Sequence, residues 1–315
     1  MDGSGQHPAY IRLHRREFSD SDQLAAAFAS WGMDLTQLKP ESGTHWTASG
    51  RLGALGIWTT ALTGGYRVRT GLPKGTFLLQ LDLASNQSRR LGSVRLAGDD
   101  ILVCPAGAEL DAVLVGQHHG ISFILPQALV VEALAQRVPD APAQLMRPDS
   151  PYIMSHCTTR VAALRWLASQ SLGFDERSPV SPSAADSIVD TVLGTLVLRW
   201  HRETEARFRA PRSQHAPIVR RVEEFMRSNL GGQLMLHDLC RVARASQRSV
   251  EYAFSSTYGV GPKQYLKLLR LNEVRRLLKS QPPGSMSIAA IANQKMTSKA
   301  AWRRVTGSLP GWLIL

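Results

Sequence analysis

The sequence predicts an α+β protein of two domains, with a β-rich N-terminal domain over residues 1–210 and an all-α C-terminal domain over residues 211–315. Between about Thr44 and Leu125, short aliphatic and β-branched runs are separated by Gly, Pro or Asn, which is typical of strands and turns. From Pro211 onward, apolar residues recur at helical spacing. Charge divides the chain at the same place, because residues 211–315 hold 17 Lys and Arg against 5 Asp and Glu, while residues 1–210 hold 20 of each.

The N-terminal domain opens with one short predicted helix. Ser19–Asp22 is a run of helix-capping residues, and Leu24 and Phe28 follow at helical spacing. Closely spaced β-type runs come next and predict a small antiparallel barrel or sandwich. These runs are Leu55–Thr60, Tyr66–Thr70, Thr76–Leu81, Ile101–Cys104 and Ala112–Val115.

Helices are predicted again after Pro126. The strongest predicted helix extends from Ala184 to Phe208 and carries one broad apolar stripe. This stripe packs on the β domain or, in a sharper alternative, contributes to a subunit interface. The polar segment Arg209–His215 then predicts a short linker, with the domain boundary near residue 211.

Composition excludes several classes of protein. A chain of 315 residues with 43% hydrophobic and 20% charged residues is typical of a folded globular protein. The N-terminal residues lack an apolar signal core, and no run approaches the roughly 20 apolar residues of a membrane span, so we expect a cytoplasmic protein without a membrane partner. Cys104, Cys157 and Cys240 form no CxxC pair, which indicates neither a disulfide framework nor a zinc site.

The sequence contains none of the common catalytic motifs, such as a nucleophile elbow, a Walker loop or HExxH. His118 and His119 are adjacent, so on a strand they point to opposite faces and do not chelate one metal together. His45 and Trp46 are interpreted as a surface histidine and a core tryptophan rather than as the lining of a ligand cavity. We therefore expect no catalytic residue, no metal and no cofactor, and a protein that is not an enzyme.

The basic domain contains a predicted helix-turn-helix. Leu236–Ala243 forms a short helix, Ser246 is a good N-cap, and Gln247–Tyr258 forms a second helix with Val250 and Phe254 on its buried side. In such a unit the N-terminal residues of the second helix enter the major groove of DNA. The excess of Lys and Arg predicts the same anionic partner, since these residues gain by displacing counterions from phosphate.

The segment that follows makes the pattern more specific. Tyr258–Leu266 reads YGVGPKQYL, and the next helix contains Leu269–Asn272 and Arg275–Leu278, read as LRLN and RRLL. These residues closely resemble the DNA-binding domain of the AraC/XylS family of bacterial transcription regulators, with Gly261 where Ser is usual and Val274 where Ala is usual. The resemblance implies two helix-turn-helix units joined by a linking helix. It also implies double-stranded DNA, RNA polymerase and a small-molecule effector as partners, and a homodimer.

The helix geometry and the resemblance select the same DNA-binding residues. Arg248, Glu251 and Tyr252 lie on the solvent face of the second helix and are assigned to base reading, together with Gln247 at its first position. Lys263 lies at the start of the linking helix and is assigned to a phosphate contact.

The second unit departs from the family pattern. Ser287–Asn293 matches its first helix, and Arg303–Pro310 resembles the closing segment. The usual G-F turn is missing, and Thr306 stands where Phe is usual. We therefore expect a divergent or shortened second helix-turn-helix that contributes little sequence specificity.

Residues of about 10 to 200 resemble, more loosely, the ligand-binding and dimerisation half of the same family. Gly98–Gly107 resembles the cupin turn, but Leu110 occupies the position of the histidine that binds metal in other cupins. The resemblance thus implies a cupin-like β-rich domain before an all-α double helix-turn-helix domain. It implies a sequence-specific transcription regulator that controls bacterial genes. Two alternatives stay open: an enzyme with a β-barrel catalytic domain targeted to nucleic acid, and a degenerate paralogue that no longer regulates.

Overall fold

The computed structural model describes residues 13–28, 32–39, 43–83, 88–92, 94–137, 151–171, 182–197, 207–209 and 215–280. The predicted second helix-turn-helix, with Ser287–Asn293 and Arg303–Pro310, lies outside the described residues. The predicted domain boundary near residue 211 does so as well.

The N-terminal part consists of two antiparallel sheets. The large sheet has eight strands in the order β1-β3-β4-β11-β6-β9-β12-β13, and the small sheet has five in the order β2-β5-β10-β7-β8. In chain order the strands are β1 (His14–Phe18), β2 (Asp34–Lys39), β3 (His45–Leu52), β4 (Leu55–Thr63), β5 (Gly65–Gly71), β6 (Thr76–Asp82), β7 (Ser88–Leu91), β8 (Val94–Leu96), β9 (Ile101–Cys104), β10 (Glu109–Val115), β11 (Gln117–Pro126), β12 (Tyr152–Ser155) and β13 (Arg207–Arg209).

Helices flank the sheets and complete the described chain. They are α1 (Ser21–Ala27), α2 (Gln127–Arg137), α3 (Thr158–Ser171), α4 (Pro182–Val197), α5 (Ala216–Ser228), α6 (Leu236–Ala243), α7 (Gln247–Tyr258) and α8 (Pro262–Ser280). Among the helices that the structure describes, none combines the length and the apolar character needed to cross a membrane.

Alternation along the strands separates two cores in the N-terminal part. In β6, Phe77, Leu79 and Leu81 pack on α2, α3 and α4, whereas Leu78 and Gln80 face the space between the sheets. The apolar stripe of α4 belongs to the first of these cores, so its predicted packing on the β domain is confirmed. Its buried members are Ile188, Val192, Leu193 and Leu196.

The outer face of the small sheet carries the C-terminal helices. Leu38 of β2 and Val113 of β10 share one buried cluster with Val222 of α5 and Tyr265 of α8. The helical part therefore completes its core against the sheet. The small sheet is therefore covered on both faces, although antiparallel sheets commonly have one face in solvent.

Two sequence predictions about the N-terminal part need correction. The helix predicted to reach Phe208 ends at Val197, and Phe208 instead lies in β13 and pairs with Met154 of β12. His45 is buried rather than exposed, because the backbone N–H of Thr63 and the hydroxyl of Tyr66 both meet its ring nitrogens. The five predicted strands and the short helix after Ser19 are confirmed.

Candidate nucleic-acid interface

Local sequence defines the boundaries of α6 and α7. The carboxylate of Asp238 accepts from the backbone N–H of Met235 at 3.0 Å and closes the first turn of α6. Ser246 caps α7, its hydroxyl accepting from the N–H of Ser249 at 3.2 Å. Gly259 ends α7 in the left-handed region at φ 75°. The predicted helix–turn–helix geometry is thus present over Leu236–Tyr258.

The turn between the two helices contains a strained residue. Arg244 has φ 52° and ψ 45°, a left-handed conformation that glycine adopts without cost. The reason is geometric, because the N–H groups of Arg244 and Ala245 must turn back to the carbonyls of Arg241 and Cys240 to end α6.

The residues assigned to base reading share the exposed face of α7. Gln247, Arg248 and Glu251 are exposed, and the Tyr252 side chain is 61% exposed. The amide of Gln247 donates to the Glu251 carboxylate at 2.9 Å, which orders both groups on the surface. Tyr252 packs edge-on against His215, with ring centroids 5.0 Å apart. The structure therefore brings the four predicted residues together on one face.

The buried side of α7 explains why that face is free. Val250 and Phe254 belong to the core of the helical part, and the carbonyl of Ser256 accepts from Arg90 of β7 at 3.1 Å. The C-terminal end of α7 therefore abuts the small sheet, whereas its N-terminal half faces solvent. This is the half that contacts bases in helix-turn-helix proteins.

The basic residues of the helical part divide into two groups. Lys263 at the start of α8 is exposed, as predicted for a phosphate contact, and Arg220, Arg241, Arg244 and Arg248 are exposed as well. Others are occupied within the fold. Arg270 donates to the carbonyls of Leu230 and Gly232, and Arg227 pairs with Glu223 and Asp34. Only part of the net charge of this region is therefore available to an external anion.

A buried polar network joins the small sheet to the helices. Arg67 of β5 is 3% exposed and donates Nε and Nη2 to Asp111 of β10 at 2.8 and 2.6 Å. Its Nη1 donates to the hydroxyl of Tyr265 at 2.7 Å and to the carboxylate of Glu223. The hydroxyl of Tyr258 donates to the same carboxylate at 3.1 Å. Every nitrogen of this guanidinium therefore has an acceptor.

Electrostatics of this network follow from the pairing. Burial alone raises the pKa of Glu223, but the charges of Arg67 and Arg227 outweigh it, so the pKa lies below its usual value of 4.5. Arg227 also reaches Asp34 of β2 at 3.0 Å. Glu223 is therefore an ionised, fully paired group in the contact between sheet and helices.

A second set of contacts joins α8 to the start of the N-terminal part. Arg275 donates Nε to Asp22 at 2.7 Å and Nη1 to the side chain of Gln37 at 2.8 Å. Asn272 donates to the carbonyl of Gln37 at 3.0 Å. Helix α8 is thus held by α1 and β2, and Arg275 is buried rather than exposed to solvent.

The space between the two sheets contains a cavity of about 90 Å³. Its lining is mostly apolar and comes from both sheets and from α1. The apolar part comprises Leu24, Phe28, Met33, Leu35, Trp58, Leu62, Val68, Leu72, Leu78, Leu110, Ala112 and Leu114, and the polar part comprises Thr60, Thr70, Gln80, Arg89, His118 and Ser122.

One end of this cavity is charged. Arg89 of β7 lies with its Nε 3.4 Å from Oδ1 of Asp82, and Nδ1 of His118 lies 3.7 Å from the same oxygen. Burial, then the charge of Arg89, lowers the pKa of His118 to about 3, so the imidazole is neutral at pH 7. Burial also raises the pKa of Asp82, although Arg89 and Arg165 act in the opposite direction. His119 packs on Trp46, which confirms that the two histidines point to opposite faces of β11.

A wider cleft of about 470 Å³ lies between the outer face of the small sheet and α5. Its walls carry charges of both signs, from Arg69, Glu109, Arg220 and Glu224, beside the saturated Arg67 network. Among the described residues, no group of three or more His, Cys, Asp or Glu side chains has the arrangement of a metal site.

Comparison with known proteins gives weak likenesses. No protein-family model matches the chain. The chain is 22% identical over 139 residues to the probable thc operon regulatory protein of Rhodococcus erythropolis, a stretch that covers 42% of this chain and 42% of that protein.

Solved structures give likenesses of the same strength. The AraC-like transcriptional activator CuxR has a TM-score of 0.43 at 15% identity and covers 89% of this chain and 99% of its own. ToxT from Vibrio cholerae has a TM-score of 0.32 at 12% identity and covers 83% and 98%. A Bacillus subtilis oxalate decarboxylase has a TM-score of 0.22 at 11% identity and covers 42% and 39%. The chain is similar to regulatory proteins, and its family stays open.

Two features were not predicted from the sequence: the ion pair of Arg67 with Glu223, and the burial of Arg89. Arg67 and Glu223 lie 156 positions apart, and no local pattern connects them. Arg89 reads as one of two adjacent arginines in a short polar stretch, which is typical of an exposed turn. Only the alternation of β7, with Arg89 and Leu91 inward and Arg90 outward toward α7, indicates that one of the pair is buried.

Proposed function

We propose that the protein is a sequence-specific DNA-binding transcription regulator. The observation that carries the proposal is the exposed N-terminal half of α7, where Arg248, Glu251 and Tyr252 lie side by side on a capped helix whose other face is buried. A helix of this kind enters the major groove by its first turns. Exposed Arg244 and Lys263 at its two ends supply charge for phosphate.

The proposal includes the two-domain organisation with a boundary near residue 211, a cupin-like N-terminal domain and a homodimer acting in the cytoplasm. RNA polymerase and a small-molecule effector are the further partners we propose. A reduced contribution of the second helix-turn-helix remains a prediction, and footprinting should then show protection limited mainly to one major-groove segment per subunit.

The cavity between the sheets is proposed to bind a ligand rather than to catalyse a reaction. Polar groups do converge there, as an enzyme requires, but a general base works best with a pKa near the operating pH. His118 has a pKa of about 3 because it is buried beside Arg89, so it is a weak base at pH 7. This argues against the enzyme alternative.

The test is a gel-shift titration of the full chain against duplex DNA at several salt concentrations. With about 5 to 8 phosphate contacts, the slope of log affinity against log salt is expected to be about −4 to −7. Replacing Arg244 and Lys263 by Ala should make the slope shallower by about 1 for each of these two side chains, which we propose to contact phosphate. Arg51→Ala, an exposed arginine on β3, is the matched control and should leave the slope unchanged. A flat salt response refutes the proposal.

A further inference from the structure

The space between the sheets contains a charged group whose hydrogen-bonding capacity is unused. The Arg89 side chain is 1% exposed, and neither Nε, Nη1 nor Nη2 has a hydrogen-bond partner among the described residues. Folded proteins rarely bury such groups unpaired, and an exception calls for a specific explanation. The five N–H groups of a guanidinium require acceptors. Burial lowers the pKa of Arg89 from its usual value of 12.5, while Asp82 acts in the opposite direction, and an arginine side chain stays protonated in proteins.

Asp82 does not meet this requirement. Its Oδ1 lies 3.4 Å from Nε of Arg89 in a geometry that makes no hydrogen bond, and both of its carboxylate oxygens are without a partner among the described residues. Arg89 lines the cavity, whereas Asp82 is not part of the lining. Asp82 therefore compensates the charge of Arg89 from behind, and an acceptor for Nη1 and Nη2 has to enter from the cavity.

The rest of the cavity selects the remainder of the ligand. Phe28 of α1 stacks on Trp58 of β4, with ring centroids 4.2 Å apart, and both rings line the wall with Leu110 and Leu114 of β10. These side chains bind an apolar body. Since a cavity of roughly 150 Å³ admits benzene, a volume of about 90 Å³ holds a compact molecule of roughly four to six non-hydrogen atoms.

We propose that this cavity binds a small monocarboxylate with an apolar body, whose carboxylate pairs with Arg89 and whose body lies against Phe28 and Trp58. A planar carboxylate accepts two parallel N–H···O bonds from a guanidinium, and such charge-assisted bonds are about twice as strong as neutral ones. The binding claim stands on the cavity alone. That the ligand is the effector of a regulator rests on the proposed function.

Helix α1 connects this site to the helical part. Leu24 and the C-cap residue Phe28 line the cavity, and at the other end of the helix the N-cap Asp20 and the helical residue Asp22 contact Arg275 of α8 at 3.7 and 2.7 Å. A ligand that shifts α1 therefore acts directly on the contact that holds the linking helix. This gives the carboxylate a physical route to the DNA-binding face.

Calorimetric titration of the full chain tests the binding claim. Sodium propionate and sodium butyrate, with five and six non-hydrogen atoms, are the probes, and propionamide and butyramide are their neutral counterparts. The carboxylates should bind at least about tenfold more tightly than the amides. The double variant Arg89→Met/Asp82→Asn, which removes both charges together, should lose this preference. Arg95→Met, an exposed arginine on β8, is the matched control and should bind like the wild type.

Three results overturn the inference: no binding of either carboxylate, equal binding of carboxylate and amide, or unchanged carboxylate affinity in the double variant. If circular dichroism shows that the double variant is unfolded, Ala112→Leu replaces it. This change fills the cavity while Arg89 stays in place, so retained propionate and butyrate affinity overturns the inference. Gel shifts with the wild-type protein separate the two proposals. A wild type that binds the carboxylates but not DNA refutes only the proposed function.

Discussion

Two buried arginines of the small sheet, on the two strands that flank β10, differ in how their charge is met. Arg67 faces outward toward the helices and has acceptors for all its nitrogens in Asp111, Glu223 and Tyr265. Arg89 faces inward, and its nearest carboxylate, Asp82, makes no hydrogen bond with it. On the outer face of the sheet, Arg67 is therefore fully hydrogen-bonded within the protein, whereas on the inner face we propose that a ligand supplies the acceptors for Arg89.

The largest effect on stability is expected from breaking the Arg67 network. Arg67→Met removes the only guanidinium that joins Asp111 to Glu223 among the described residues, and it leaves the buried Glu223 with Arg227 as its remaining charged partner. Removing one partner of a buried ion pair is strongly destabilising, so the free energy of unfolding should fall by about 3 kcal/mol. Urea unfolding followed by circular dichroism measures this. Arg69→Ala, on the same face two residues along β5, should change it by less than about 0.5 kcal/mol.

The pH dependence of stability sharpens the same side of the comparison. The pKa of Glu223 is lowered in the folded protein because Arg67 and Arg227 outweigh the effect of burial. Its contribution is therefore fully present above about pH 4.5, the usual value, and is lost as the pH falls through the lowered folded pKa.

Glu223→Gln should remove this part of the acid dependence, which amounts to at most about 1.4 kcal/mol per pH unit. Urea unfolding of both proteins between pH 3 and 6 is the check. Identical slopes of the two proteins would show that Glu223 is not the ionised partner in this contact. Glu224→Gln, an exposed neighbour on α5, serves as the control and should leave the slope as it is.

A smaller change in stability, of opposite sign, is expected in the helical part at a residue outside the Arg67 network. Arg244→Gly relieves the left-handed backbone at φ 52° and should stabilise the protein by about 1 kcal/mol. Glu251→Gly, in the exposed interior of α7, is the contrast and should destabilise by about 0.5 kcal/mol. A loss of stability in Arg244→Gly would mean that the arginine side chain contributes more than its backbone strain costs.

The smallest effect is expected on the inner face. Replacing Arg89 and Asp82 together by Met and Asn removes two poorly paired buried charges, and exchanges of this kind are often neutral or stabilising. The free energy of unfolding should therefore change by less than about 1 kcal/mol in the ligand-free protein. A decrease as large as that of Arg67→Met would make Arg89 a structural residue and would remove the contrast between the two faces.

Much of this architecture follows from the sequence. Helix α7 begins directly after the N-cap Ser246 and helix α8 begins at Pro262, because such signals act within one turn of the chain. The exposed positions of Arg248, Glu251 and Tyr252 follow from helical periodicity alone. The proposed DNA-binding face is therefore the part of the site that local chemistry predicts.

The remainder depends on contacts between distant segments. Phe208 fits the end of a helix by its neighbours, but it lies in a strand because β12 offers it a partner. Arg275 reads as one more exposed cation of α8, but it is buried because Asp20 and Asp22 of α1 meet it. Periodicity carries no information on either pairing, since both depend on how the sheets bring separate parts of the chain together.

The proposed function depends most on base reading by the exposed half of α7. The direct measurement is equilibrium binding of the wild type, Arg248→Ala and Lys263→Ala to a duplex selected from a random pool and to its scrambled counterpart, at one salt concentration. Arg248→Ala should lose about 1–3 kcal/mol on the selected duplex only, with relaxed preference at one base pair. Lys263→Ala should weaken binding to both duplexes alike. Equal weakening of both duplexes by Arg248→Ala, or no weakening of either, would contradict the claim.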